Sequence, residues 1–258
     1  KSLELIIRAG AGVNNIDIEK ASSSGVYVAN CPGKNSDAVA ELALGHIIAC
    51  DRRIVDASID LRSGNWKKKV YQNAAGLKGR TLGIIGLGSI GGALAKLAKG
   101  LDMNVIAWSR SLTPDKADKL DLIYCESITE VAANADVVSV HLAMTPDTKH
   151  LLNNNFFNKM KDGAIFVNTS RGEIVDTAAL RKAIDEKALR VGLDVFENES
   201  GSGLAEFDQV DLAGLITGTP HIAASTNQAS EAIANEVVRI VNSLIKTGKP
   251  INAVNSRD

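Results

Sequence analysis

Three kinds of side chain with complementary chemistry stand at the ends of successive apolar runs in the second half of the sequence. Arg171 lies in Asn168-Thr169-Ser170-Arg171-Gly172, a glutamate (Glu197 or Glu199) closes Asp194-Val195-Phe196-Glu197-Asn198-Glu199, and His221 lies in Thr219-Pro220-His221. An imidazole takes or gives a proton near neutral pH. A carboxylate beside it favours the imidazolium and holds the ring's orientation. A guanidinium grips a carboxylate in bidentate fashion. Together they suit a proton transfer that accompanies hydride movement at an alcohol or carbonyl carbon.

A second group sits upstream, where Gly86-Leu87-Gly88-Ser89-Ile90-Gly91 matches G-x-G-x-x-G. Alone this is a weak signal, but here it follows an apolar run and opens an apolar-striped helix. In that setting the first glycine makes a tight turn, the second lets backbone approach a pyrophosphate, and the third allows close helix–strand packing. The helix N-terminus adds unpaired N–H groups and a partial positive charge. The following strand runs into Ser109-Arg110-Ser111, without the acid that would bind the adenosine ribose of NAD. Ser109 and Arg110 repel nothing and suit a 2′-phosphate, so the residues favour NADP(H). NAD(H) is the alternative, with Arg110 stacked on adenine or facing water.

The elements that must position these groups follow from periodicity. Short apolar runs alternate with helix-period segments from Thr81 onward, which predicts stacked βα units and a parallel sheet of about seven strands. The expected strands cover 81–86, 104–108, 121–125, 136–142, 163–169, 191–196 and 215–217, with helices over 89–99, around 153–160 and over 178–187. Two longer helices, 37–53 and 228–246, carry wide apolar faces. Ahead of them, 4–8 and 26–30 read as two more strands. The stretch 63–76 reads as an irregular excursion. Ligands of open α/β sheets sit beyond the carboxyl ends of the strands, which is where Arg171, the glutamates and His221 fall.

Composition narrows the classes further. Hydrophobic residues make up 45% and charged residues 23%, which excludes a disordered chain. Lys+Arg 29 against Asp+Glu 30 leaves no basic excess for nucleic acid or an anionic membrane. No apolar run approaches the ~20 residues of a membrane helix, and no signal peptide is expected. Cys31, Cys50 and Cys125 fit neither a metal-ligand spacing nor a disulfide framework, so a cytoplasmic chain without a metal site is the expectation.

At this point the sequence resembles the D-isomer-specific 2-hydroxyacid dehydrogenases. The resemblance covers nearly the whole chain and rests on the glycine motif, Arg8-Ala9-Gly10-Ala11-Gly12-Val13-Asn14-Asn15-Ile16-Asp17, Asn35-Ser36 leading to Ala40-Glu41, Asn168-Thr169-Ser170-Arg171-Gly172, Val175-Asp176, Asp194-Val195-Phe196 and Thr219-Pro220-His221. It implies a Rossmann doubly wound sheet, placed at 35–235. It also implies a partial, N-terminally incomplete flavodoxin-like substrate domain in 1–34 plus 236–258. By the family's spacing the catalytic glutamate is Glu199, with His221 as acid/base and Arg171 as anchor for the substrate carboxylate and C2 oxygen. Thr169, Ser170, Asp194 and Ala224 are implied on the nicotinamide side, and Ser89 and Ile90 at the pyrophosphate. Arg8, Ala11 and Asn35 are implied as substrate contacts.

The implied reaction interconverts a D-2-hydroxy acid and its 2-keto acid. The opening stretch and Gly64-Asn65-Trp66 look most like 3-phosphoglycerate dehydrogenases of serine biosynthesis, with hydroxypyruvate or glyoxylate reductases as the alternative. The family also implies a homodimer built around the 37–53 helix and the Trp66 excursion. A different reading is a dinucleotide-sensing corepressor of the same fold, whose branch keeps all three catalytic residues. Departures from the pattern are Ser109 for an acid, Ser200 and Ala143 for prolines, and Asn14 for Asp. Outside these motifs, His46 reads as a packed or interface residue, His141 and His150 as structural or surface residues, and Lys67-Lys68-Lys69 as a solvated face.

Overall fold

Apolar side chains that alternate along a strand point to opposite sides of a sheet, and here both sides are covered. A computed structural model describes residues 3–13, 15–199 and 204–256; Asn14 and Ser200, two of the departures above, lie outside the described residues. The chain divides into two compact units, 1–39 with 224–258 and 40–223.

In the smaller unit, Leu5–Arg8 (β1), Ile18–Ser23 (α1) and Tyr27–Asn30 (β2) form a parallel βαβ pair. Asp17 caps α1 by accepting from the Lys20 N–H. Ser36–Arg52 (α2) begins in this unit and runs on into the larger one.

The larger unit continues with Ile54–Arg62 (α3), Lys68–Tyr71 (α4), Thr81–Ile85 (β3), Ser89–Gly100 (α5) and Asn104–Trp108 (β4). Pro114–Lys119 (α6), Ile123–Tyr124 (β5), Ile128–Asn134 (α7) and Val137–Val140 (β6) follow. Asn154–Lys159 (α8), Ile165–Asn168 (β7), Thr177–Lys187 (α9), Arg190–Leu193 (β8), Val210–Ala213 (α10) and Thr217–Gly218 (β9) complete it. The sheet order is β5-β4-β3-β6-β7-β8-β9, parallel throughout. The seven-stranded doubly wound sheet is therefore present, and its order reverses between β3 and β6.

Val138, Val140, Phe166, Val191 and Leu193 pack on one face with the helices α7, α8 and α9. There Phe156, Phe157 and Phe166 meet edge to face at 5.2–6.4 Å. Leu82, Ile84, Val105, Ala107, Val137 and Val167 pack on the other face with α2 and α5. Burying Val, Leu, Ile and Phe side chains in this way contributes roughly 1.5–3 kcal/mol each.

Several boundaries differ from expectation, each for a local reason. The strand expected over 121–125 shrinks to β5, because Asp121 turns at φ 53 and Leu122 donates back to the Ala117 carbonyl. The 63–76 excursion contains the short helix α4. Asn227–Thr247 (α11) groups with the smaller unit, where Ile233, Val237 and Ile240 pack with Ala29 and Cys31. The unit break after Ala223 thus lies ahead of the expected one at 235, and that after Val39 lies beyond the expected one at 34.

Candidate active site

The glycine turn sits at the switch between β3 and β6. Gly86 has φ +98, and a Cβ there would lie 2.5 Å from the His141 carbonyl oxygen. A Cβ at Gly91 would strike the Gly86 carbonyl oxygen, so α5 can approach β3 only with glycine there. Gly88 differs, since a Cβ on it would meet nothing within 4 Å. It is exposed and caps α5 without a side-chain hydrogen bond. By contrast, α9 is capped by the Asp176 carboxylate on the Ala179 N–H. The α5 N–H groups are thus left for an anion, over a space that any side chain at Gly88 would enter.

A second observation points to the same occupant. Thr169 is buried and its Oγ1 has no hydrogen-bond partner, at the carboxyl end of β7 where a dinucleotide's far half would lie. An orphaned hydroxyl at the end of β7, two strands along the sheet from the open phosphate cradle after β3, fits a dinucleotide. At the other end, beyond β4, Ser109 is half-buried and Arg110 exposed. Arg110 makes no hydrogen bond to a described side chain, while Lys116 Nζ reaches the Ser111 carbonyl at 3.0 Å.

Beyond β7, β8 and β9 the expected charged groups come together. His221 Nδ1 hydrogen-bonds Glu199 Oε1, and the other Glu199 oxygen accepts from the Phe196 N–H at 3.3 Å. The Glu199 hydrogen bond raises the His221 pKa above its ordinary 6.5 against the opposing effect of burial. Burial by itself would raise Glu199, but His221 and the Phe196 N–H hold it below the usual carboxylate range. The positive charge of Arg171 acts on both groups, lowering each. Arg171 follows β7, with Nη1 on the Ser170 carbonyl at 2.6 Å, and Asn168 Nδ2 holds its carbonyl at 2.9 Å. Ser170 is tied back to Asn168 Oδ1 through both its N–H and its hydroxyl.

The two loops are brought together by Gly172. A Cβ there would fall on the Phe196 carbonyl group and the Glu197 nitrogen. The turn after Arg171 therefore packs backbone-to-backbone against the loop that carries Glu199. In the sequence Gly172 stands out only as part of a motif. Also hidden there is that Glu197 is pinned on both oxygens, by His150 Nε2 at 2.5 Å and Thr177 Oγ1 at 2.8 Å. His150, expected as structural or surface, is thereby a clamp on the Glu199 loop.

The remaining expected site residues belong to the smaller unit. Arg8 ends β1 with Nη1 on the Ala9 carbonyl at 2.8 Å and Nε buried without a partner. The Ala11 carbonyl accepts from Asn30 Nδ2 at 2.6 Å, and the Asn35 carbonyl accepts from the Val39 N–H at 3.1 Å. Ala224 is the first residue of that unit's second segment, so it is not grouped with the other expected cofactor contacts.

Comparison with known proteins places this arrangement in a family. Residues 44–223 match the model of the D-isomer specific 2-hydroxyacid dehydrogenase NAD binding domain. A glyoxylate reductase of Thermococcus litoralis is 40% identical over 98% of this chain and 77% of its own. A D-3-phosphoglycerate dehydrogenase of Archaeoglobus fulgidus is 39% identical over 99% of this chain, which spans 48% of that protein. Among solved structures, a glyoxylate reductase from Paecilomyes thermophila superposes with a TM-score of 0.86 at 31% identity, over 97% of this chain and 75% of that one. The chain belongs to the D-isomer-specific 2-hydroxyacid dehydrogenase family. It is an oxidoreductase that acts on CH–OH donors with a nicotinamide dinucleotide.

Proposed function

We propose that this chain interconverts a short D-2-hydroxy acid and its 2-keto acid, with His221 as the acid/base. The observation that carries the reading is the His221–Glu199 hydrogen bond at the carboxyl ends of the strands. With Nδ1 taken by Glu199, Nε2 is the nitrogen available to the substrate oxygen, and the raised pKa favours the protonated ring. When bound, the dinucleotide supplies or takes the hydride at C2. In reduction His221 Nε2 gives its proton to the C2 oxygen, and in oxidation it takes that proton back. Glu199 fixes the ring and stabilises the imidazolium. Arg171 holds the substrate carboxylate and draws electron density from the carbonyl.

Within this class we favour glyoxylate or hydroxypyruvate as the keto acid. A glyoxylate reductase and a hydroxypyruvate reductase stand among the chain's relatives at 40% and 39% identity. Lys67, one of three successive cations that a phosphate would attract, is already paired with Asp60 at 2.7 Å. The second reading is 3-phosphohydroxypyruvate, supported by the 39% identity to that dehydrogenase. Ser109 and Arg110 support NADP(H) as the cofactor. A homodimer is supported by the exposed apolar residues Ile54, Val55, Ile59 and Leu61 of α3, with Trp66, 82% exposed, beside them in sequence. The test is a panel of glyoxylate, hydroxypyruvate and 3-phosphohydroxypyruvate with NADH and with NADPH. Turnover of the unphosphorylated acids supports the reading, turnover confined to the phosphorylated acid replaces the substrate, and no turnover with any pair rejects the activity.

A further inference from the structure

His46 is 3% exposed on α2, and nothing in its surroundings along the helix suggests more than packing. Its Nε2 lies 3.0 Å from Thr219 Oγ1, which lies 2.6 Å from Asp194 Oδ1. A hydroxyl has one proton and a carboxylate only accepts. Thr219 therefore donates to Asp194, and the other bond must run from His46 Nε2–H to the Thr219 oxygen. This sets the His46 tautomer, and burial lowers the His46 pKa against the opposing charge of Asp194, which favours the neutral ring.

Asp194 is fully buried, and it holds the His221 loop by its backbone. Its carboxylate accepts from the Ile222 N–H at 2.9 Å and the Ala223 N–H at 2.8 Å, and its carbonyl accepts from the His221 N–H at 2.8 Å. Three successive N–H groups thus end on one residue, with His221 at φ 51. Space for His46 is made by Gly192 on β8, where a Cβ would lie 2.8 Å from the His46 Cβ. The chain of contacts runs from α2 through Thr219 and Asp194 to the backbone of His221, all within one unit.

We propose that His46 is a positioning residue for the reaction: its N–H orients the Thr219 hydroxyl toward Asp194, which seats the loop so that His221 meets Glu199. This rests on the reading of His221 as the acid/base. A residue that merely filled space would be replaced without loss by an apolar side chain of similar size.

Three variants test it. His46→Gln keeps an N–H at the reach of Nε2, His46→Leu fills the space without a donor, and His46→Asn carries an N–H too short to reach. The measurements are kcat and KM for the keto acid, and the NMR titration of His221 in the protein without substrate, whose charged neighbours are Glu199, Arg171 and Asp194. Leu and Asn are expected to lower kcat about tenfold, the scale of one hydrogen bond's contribution. They should leave KM within about twofold and move the His221 titration down toward 6.5. Gln is expected to restore both. Wild-type kcat and an unmoved titration in Leu, or in Asn should Leu fail to fold, would overturn the proposal, as would a Gln variant as impaired as Asn. If the unaltered enzyme turns over no keto acid, the functional reading fails, and the His221 titration decides the positioning role separately.

Discussion

Glu197 and Glu199, two residues apart on one loop, each hold a different histidine: Glu197 takes His150 and Glu199 takes His221. The two carboxylates therefore have separate tasks. The first anchors the loop to the start of α9 through Thr177, and the second orients the ring of His221, the proposed acid/base.

That division predicts a pH signature. With His221 as the proposed proton donor, reduction runs below the His221 pKa and is lost as pH rises through it. Because Glu199 raises that pKa above 6.5, Glu199→Gln moves the alkaline limb of kcat for reduction to lower pH. The variant should lose more activity at pH 8 than at pH 6, by up to about tenfold for each pH unit the limb moves. Profiles of kcat against pH for the two proteins check this, and an unmoved limb counts against Glu199 as the partner.

Gly172 predicts a mutation whose effect exceeds its size. In Gly172→Ala the new Cβ has backbone, not a flexible side chain, in its way at Phe196 and Glu197. The Arg171 and Glu199 loops must move apart. We expect destabilisation of about 1–3 kcal/mol, read by denaturant melts, and a fall in kcat of at least ~10-fold. Wild-type kcat in a folded variant would show that the loops tolerate separation.

The glycine turn predicts that two of its members fail differently. Gly88→Ala meets no protein atom and should melt like the wild type while binding dinucleotide at least ~10-fold more weakly. Gly91→Ala strikes the Gly86 carbonyl and should lower stability itself. Melting curves paired with dinucleotide titration separate the two outcomes; weak binding with normal stability in Gly91→Ala would contradict the assignment.

Cofactor choice is tested at Arg110. If its guanidinium takes a 2′-phosphate, Arg110→Ala weakens NADPH by roughly 10-fold or more, the loss of about 1.5–3 kcal/mol for a hydrogen bond to a charged group. NADH should change by less than about twofold. Equal effects on both dinucleotides would remove the argument for NADP(H).

Most of the sheet was legible because alternating and helix-period apolar residues report local geometry directly. Both β3 and β4 fall where their apolar runs do, and α5 follows its stripe. His221 and Glu199 were legible because each sits at the end of a strand-like run and the resemblance chose between Glu197 and Glu199. What stayed hidden depends on contacts far apart in sequence. His150 and Glu197 are 47 residues apart and His46 and Thr219 are 173 apart, and no periodicity records such neighbours. The helix α3 was missed for another reason: none of its residues is buried in this chain, so its pattern had no core stripe to display. The start of the smaller unit's second segment was harder to read: residues from 236 on were expected there, and α11 groups with it from Asn227, since an apolar stripe does not say where the receiving core begins.

In the proposed reaction the His221 imidazole moves the substrate proton while the dinucleotide is held elsewhere. Its most direct test is single-turnover reduction by His221→Ala, with dinucleotide binding measured in parallel. A loss of at least ~100-fold in rate is expected, with binding of the dinucleotide unchanged. A variant that reduces the keto acid at nearly the wild-type rate would contradict it.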